Sequence, residues 1–344
     1  MSLRQFVPPP FRAPWSHAPG IEAWLAGADV FAKIFPTRLE LHSCQNSTIS
    51  ISFPGLCYSC DWTVFFDTLR QRTIVQGHAK SGFFRYQLKV LPEGIFLNTL
   101  KGELVCENKT LKRGEKLLLM KGSFSPPRYA APRLFLGVNK DPNLDRMLER
   151  QDPLEILPMW FQLASPVVIP EIGPSLLGNL VNIIKEKDRA NILEAFLVYF
   201  RAGMKGYFVP QSKDVLYLGY GRPIPENMPS QLIHGIIASL MRSLFLQQEG
   251  STLSLLPCLP KGALSGHLLR ERLSSSSLIS LEWRKQVIRR VLIHAYADEE
   301  LTILPHSAEC FYLTTLGKKE RCKIAAGSKI TLQRGNRYLL DNFK

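Results

Sequence analysis

Hydrophobic periodicity changes twice along this 344-residue chain, and those two changes constrain the fold more than any single motif. Between Thr48 and Met120 apolar and polar residues alternate in short runs that end at turn residues. Thr48-Ile-Ser-Ile-Ser-Phe53 stops at Pro54-Gly55, and Phe83 to Leu91 stops at Pro92-Glu-Gly94. Gly94 to Leu100, Glu103 to Cys106 and Glu115 to Met120 continue the pattern. Alternation of this kind puts one side of each strand in a core and the other in water. At such short spacing it predicts an N-terminal antiparallel β-sandwich over residues 1–135.

After Ser125-Pro-Pro127 the punctuation becomes helical. Asp141-Pro142 opens a helix to Arg150 and Asp152-Pro153 another to Leu163, each with Asp as N-cap and Pro at the first helical position. Helices over Ser175 to Lys187 and, capped by Asp188, over Arg189 to Met204 follow. Ser230 starts the longest, in which Leu232, Ile233, Ile236, Ile237, Leu240, Met241, Leu244 and Phe245 form a wide apolar stripe and Gly250 supplies a left-handed cap. Residues 136–250 are therefore a short helical middle region, interrupted by an irregular Gly- and Pro-rich path from Lys205 to Asn227. Strand patterns return at Ser280 to Trp283, Gln286 to His294, Glu300 to Leu304, Cys310 to Thr315 and Lys329 to Leu340, the last broken at Arg334-Gly-Asn336. Residues 251–344 form a smaller C-terminal β domain, so the expected class is a β-rich α+β fold.

The formal charge of +14 belongs to the two ends: residues 1–160 carry 20 Lys and Arg against 14 Asp and Glu, 161–260 carry 8 against 7, and 261–344 carry 15 against 8. No basic run exceeds a pair, and none is interleaved with aromatics, which argues against a dedicated nucleic-acid surface. Seven scattered cysteines are not a dense disulfide framework. Met1 to Pro10 has no apolar export core, and no apolar run approaches the ~18 residues of a membrane helix. Together these predict a cytoplasmic chain with reduced thiols and no membrane span. There is no GxxxxGK[ST] or strand-bound GxGxxG to cradle a nucleotide, and no Gly-x-Ser-x-Gly elbow, so no cofactor is expected.

One ordered series of residues carries a resemblance. The helix at Ile236 to Leu246 leads into Leu253-Ser-Leu-Leu-Pro-Cys-Leu-Pro260, then Ser265-Gly266, then Leu281-Glu282-Trp283. This series resembles the end of the catalytic region and the C-terminal β domain of the inverting α-L-fucosidase family of glycoside hydrolases. Detailed similarity covers about a quarter of the chain, and the late Gly327 to Leu332 fits a closing strand less specifically. The resemblance implies a sandwich, a helical barrel and a second β module. Family members have about a dozen barrel helices, whereas residues 136–250 have room for four or five. The family's Asp-Gly-Asn-Phe-Gly-Gly stretch is replaced by Pro225-Glu-Asn-Met-Pro229, and its Gly-Leu-Arg-Ala-Arg-Gly-Gly turn by Leu269-Arg-Glu-Arg272 and a serine run. A shortened relative without catalytic activity is the expectation these departures set.

Inverting hydrolysis needs two carboxyl groups facing one pocket about 6.5–9.5 Å apart. Candidates in the middle region are Glu171, Glu194, Asp214 and Glu226, with Glu186, Asp188 and Glu249 reading as helix-end or surface charges. Glu226 is the catalytic candidate, because it sits in a Gly/Pro-shaped loop. Tyr217, Tyr220, Arg222, Asn227 and, from the long helix, His234 are the ligand-binding candidates able to stack on or hydrogen-bond a sugar. The bland readings are a solvated loop charge for Glu226 and a satisfied buried histidine for His234. A separate constellation, His42, Cys44, Cys57 and Cys60, has the spacing of a tetrahedral zinc site, set against ordinary buried thiols, and no metal is assigned from it. The partners expected are an oligosaccharide or, if the chain is a non-enzymatic interaction scaffold with basic surfaces, another protein.

Overall fold

The computed structural model describes residues 17–43, 47–56, 60–67, 70–106, 109–124, 133–138, 147, 150–211, 228–318 and 320–344. Strand outweighs helix, 46% against 18%, which makes this a β-rich α+β protein as the alternation predicts. Four strands, β1 (Ile21–Trp24), β2 (Val30–Ile34), β3 (Arg38–Ser43) and β4 (Thr48–Ser52), form an antiparallel meander. A second sheet has the order β11-β8-β7-β6-β5, from β5 (Cys60–Asp67), β6 (Arg72–Ala79), β7 (Gly82–Leu91), β8 (Gly94–Lys101) and β11 (Lys116–Lys121). The short hairpin β9 (Leu104–Cys106) and β10 (Lys109–Leu111) stands beside it. Phe53, directly after β4, packs its ring 5.5 Å from that of Tyr86 on β7, so the sheets share a core.

A two-residue strand, β12 (Leu134–Phe135), then leads into the helices α1 (Pro153–Trp160), α2 (Leu176–Lys185) and α3 (Ile192–Gly203). Asp152 caps α1 as expected, accepting from the Leu154 N–H, and Ser175, expected as the first residue of its helix, is its N-cap and accepts from the Gly178 N–H. Asp188 differs. Its carboxylate is bound by the N–H groups of Ala190 and Asn191 and by the Asn191 amide, which makes a turn before α3 and delays the helix to Ile192. Asn191 holds the cap position, but its side chain does not bond the first turn of α3. The helix expected over Asp141 to Arg150 falls mostly outside the described residues.

After α3 the chain makes a small hairpin, β13 (Met204–Lys205) and β14 (Val209–Pro210), whose tip reaches back to the N-terminal sheets. Tyr207 exchanges backbone hydrogen bonds with β1, its carbonyl accepting from the Trp24 N–H and its own N–H donating to Glu22 O, and its hydroxyl donates to Val64 O at 2.7 Å. Gly206 makes this approach sterically feasible. It has φ +45°, and a Cβ there would sit 2.2 Å from Glu22 O.

The long helix α4 (Ser230–Phe245) has the predicted start but not the predicted end. Leu246 to Glu249 form β15, paired with β16 (Thr252–Leu255), and Gly250 at φ +58° turns this hairpin instead of capping the helix. Eight strands follow these in the closing module, the first six being β17 (Ser265–Arg272), β18 (Leu278–Arg284), β19 (Val287–His294), β20 (Glu299–Pro305), β21 (Cys310–Thr315) and β22 (Arg321–Ala325). The last stretch divides at Arg334-Gly-Asn336 into β23 (Lys329–Leu332) and β24 (Arg337–Asp341), as its sequence indicates. They form a seven-stranded sheet, β12-β17-β18-β19-β24-β21-β22, and a four-stranded one, β15-β16-β20-β23, in which β16 and β20 run parallel.

Residues of the Leu-Leu-Pro and Leu-Glu-Trp stretches meet in one packing unit. Leu253, Leu255, Leu256, Cys258 and Leu259 are fully buried. Trp283 stacks on Phe245 with ring centroids 5.1 Å apart and donates its indole N–H to Ala263 O. Gly266 lies opposite Trp283 in register, and a Cβ there would fall 2.4 Å from the indole ring and 2.3 Å from Phe135 O. The Ser-Gly and Leu-Glu-Trp elements thus occur together because the indole needs the space that glycine leaves.

Candidate functional site

Six buried aromatic groups and one histidine form the hub between the N-terminal sheets and the helices. Trp160, at the end of α1, stacks on Tyr199 and meets Phe200 edge-on at 5.4 Å, both from α3. Phe208, in the hairpin after α3, lies 5.9 Å from Phe200 and 5.8 Å from Phe66 of β5. Its φ of +57° is uncommon for a bulky side chain and aims its carbonyl inward.

That carbonyl receives His234 of α4 at 2.8 Å. The other ring nitrogen, Nδ1, accepts the Trp160 indole N–H at 3.3 Å, while the ring lies 4.0 Å from that of Trp24. Two partners of this kind select one tautomer, with the proton on Nε2. Burial lowers the pKa of His234 to about 4, and the hydrogen bond to Phe208 O only partly opposes this. His234 is therefore a neutral pin with both nitrogens occupied.

On the outer side of the hub lies a cleft of about 320 Å³. Phe200, Phe208, Ile156, Leu197 and Met204 make it largely apolar, Gly206 adds backbone, and Gln151 and Arg201 bring the polar groups. Arg201 donates to the Gln151 side-chain oxygen, so the two polar groups hold each other at the cleft. The volume is at the lower end of the ~300–1,000 Å³ of small-molecule sites, and an apolar lining with a few placed polar groups is their usual composition.

Of the residues singled out by sequence, only His234 belongs to this neighbourhood among those described. Tyr217, Tyr220, Arg222, Glu226, Asn227 and Asp214 lie outside the described residues. Glu171 and Glu194 are exposed, on an extended segment before α2 and on the flank of α3. Gln151, Phe200, Arg201 and Phe208 were not legible as site residues. Their one signal is the Gly-x-x-Gly spacing of Gly203 and Gly206 after Phe200-Arg201, which marks a break in the helix but not a cleft.

The zinc constellation is only partly described. His42 stacks on Phe31 and pairs with Glu40 and Thr48, and Cys60 is an exposed free thiol, while Cys44 and Cys57 lie outside the described residues. No group of three or more His, Cys, Asp or Glu side chains among the described residues is placed to hold a metal.

A second buried polar cluster ties the modules together. Arg133, just before β12, donates to Glu271 of β17 at 3.1 Å and to the carbonyls of Phe161 and Ala164 beyond the end of α1. Its guanidinium also covers the Phe161 ring at 4.1 Å. Arg242 of α4 approaches the other Glu271 oxygen at 3.6 Å. Burial pushes the Glu271 carboxyl up, against the pull of the two arginines. Arg133 and Glu271 are buried and Arg242 is mostly covered, which gives the cluster a fastening role.

No family model matches the chain, and no curated protein matches it. Among solved structures the chain is similar to Ara127N-Se, a GH127 β-L-arabinofuranosidase from Geobacillus stearothermophilus T6, over 49% of its length at 14% identity and a TM-score of 0.20. The chain spans 30% of that enzyme. The likeness is to a glycoside hydrolase other than a fucosidase, and a superposition this loose carries neither a reaction nor a substrate to the present chain.

Proposed function

We propose that this chain is a non-hydrolytic, glycoside-hydrolase-like protein that holds an oligosaccharide at the cleft between α1, α3 and the hairpin after α3. The observation that carries the reading is the lining itself, aromatic Phe200 and Phe208 beside the paired Gln151 and Arg201. Sugars combine apolar C–H faces with hydroxyl groups, and aromatic rings beside amide and guanidinium donors answer both. Inverting hydrolysis would need two carboxyl groups about 6.5–9.5 Å apart, and no described residue lining the cleft has one. On this reading residues 1–135, 136–250 and 251–344 are the sandwich, shortened helical and closing β units. Tyr217, Tyr220, Arg222 and Asn227 remain the sequence-based candidates for sugar contacts and Glu226 the candidate carboxylate, all of them outside the described residues.

Isothermal titration with fucosylated and α-glucosidic oligosaccharides tests the binding, and a reducing-sugar assay on every binder tests the chemistry. At least one oligosaccharide is expected to bind, with about tenfold loss in Arg201→Ala and no product. Absence of heat from the whole panel would sink the carbohydrate reading. Product formation that disappears in Glu226→Gln would overturn the non-hydrolytic part and restore Glu226 as a catalytic group.

A further inference from the structure

The outward face of the seven-stranded sheet concentrates charge and apolar surface in an ordered pattern. Inward positions such as Leu281, Trp283, Val291, Ile293 and Leu340 are buried, so their neighbours along each strand face out. Six cations face outward: Arg272, Arg284, Arg290, Arg321, Lys323 and Arg337. The same face has two carboxylates, Glu282 and Asp341, and each is already held at 2.6 Å, by Arg290 and Arg321. Arg272, Arg284, Lys323 and Arg337 have no ion-pair partner among the described residues.

Between these charges lies an apolar row. Leu292 is 38% exposed and pairs in register with half-buried Leu339, while Leu278 follows on the next row, opposite His294. Tyr296 and Leu316, 48% and 46% exposed, close the same end of the sheet beside Arg337. Seven strands at ~4.8 Å spacing and about six residues of length give a face of roughly 600 Å², close to the ~800 Å² that each partner contributes to a standard protein interface.

We propose that this face docks the surface of another protein, one with an apolar centre and an acidic rim. Charge complementarity fixes the sign of the partner, and the net positive face opposes a second copy of the chain. Five of the six cations are arginine, the basic residue enriched at protein interfaces, where lysine is depleted. The Leu292–Leu339 centre would be left poorly covered by a nucleic-acid backbone. Of the aromatics on this face, Tyr312 is already covered by the Arg321 guanidinium at 4.6 Å, and Tyr296 lies against the His294 ring at 4.4 Å.

Panning a random peptide library on phage against the full chain, with selected peptides then synthesised, tests the proposal. The peptides expected are acidic with aliphatic or aromatic residues, and each should lose about tenfold in affinity for Leu292→Asp and separately for Arg337→Glu. Leu292→Ser and Arg337→Gln, with smaller losses in the same order, replace either variant if its thermal melt shows it unfolded. Peptides without acidic residues, or peptides bound equally by the variants, overturn the proposal. So does binding of phosphatidylserine vesicles or duplex DNA, at the same salt, that matches the peptides and falls in Arg337→Glu but not in Leu292→Asp.

Discussion

Acid should loosen this protein through His234 before it reaches the ordinary carboxylate range. Its folded pKa is about 4, against about 6.5 for the same side chain in the unfolded chain. The folded state therefore refuses a proton that the unfolded state takes up. The associated stability is fully present above the unfolded pKa and is lost as the pH falls through the interval down to the folded one. Integrating over the two pKa values gives a loss of ~2 kcal/mol by pH 5 and ~3 kcal/mol by pH 4, in order of magnitude. His267 and His306 are also lowered, chiefly by burial, and contribute in the same direction from more accessible positions. The variant His234→Gln separates the contributions, since it removes the titration at residue 234 and leaves the other two. Urea unfolding at about pH 7.5 and about pH 5 should show the wild type losing ~2 kcal/mol more than the variant. The variant itself starts ~1–3 kcal/mol less stable at the higher pH, because Trp160 Nε1 and Phe208 O lose a well-placed partner. Equal acid losses in the two proteins, within about 0.5 kcal/mol, would refute the neutral, doubly bonded histidine.

Two further substitutions probe how the modules are joined. Gly206→Ala should cost ~2 kcal/mol or more, because the new Cβ meets Glu22 O at 2.2 Å, whereas Gly250→Ala, also at positive φ but with nothing within 4 Å, should cost only ~1 kcal/mol. Paired thermal melts check this, and equal shifts would mean that the close approach is not needed. Arg133→Met strands the buried Glu271 with a more distant Arg242 and should cost ~3–5 kcal/mol in urea unfolding. The double variant Arg133→Met/Glu271→Leu should recover part of that loss, since removing both charges leaves no uncompensated one.

Strands β4, β7, β8, β18, β20 and β21 were legible from alternation that ends at a turn, and β19 in spite of the Arg289-Arg290 pair that interrupts its alternation. The helices were legible from their apolar spacing and, for α1, from Asp152, which closes the cap with its own side chain. Strand β5 was missed because its Trp62 to Phe66 run is buried or half-buried on both faces, so no alternation marks it. Leu246 to Glu249 were missed because Leu246 extends the apolar stripe of α4, and only pairing with Thr252 to Leu255 turns the segment into a strand. The cleft was illegible for a related reason. Gln151, Ile156, Arg201 and Phe208 come from separate segments, and only the packing of α1 on α3 and the return of Tyr207 to β1 brings them together.

The closing motif can now be assigned a physical cause. Leu253, Leu255, Leu256 and Leu259 fill a core, Cys258 fills it with them, Gly266 makes room for an indole, and Trp283 occupies that room while bonding Ala263 O. Of the described residues in this unit only Glu282 reaches solvent with a charge, and Arg290 already holds it. A sequence pattern explained entirely by packing can be maintained by selection for folding alone and carries no reaction with it. The motif therefore predicts a module that stabilises whatever the chain does, while function must be sought where packing leaves residues unexplained. Two places meet that condition among the described residues. One is the Gln151–Arg201 pair over the aromatic cleft, and the other is the arginine-rimmed leucine row on the outer sheet, whose four unpaired cations no folding argument requires.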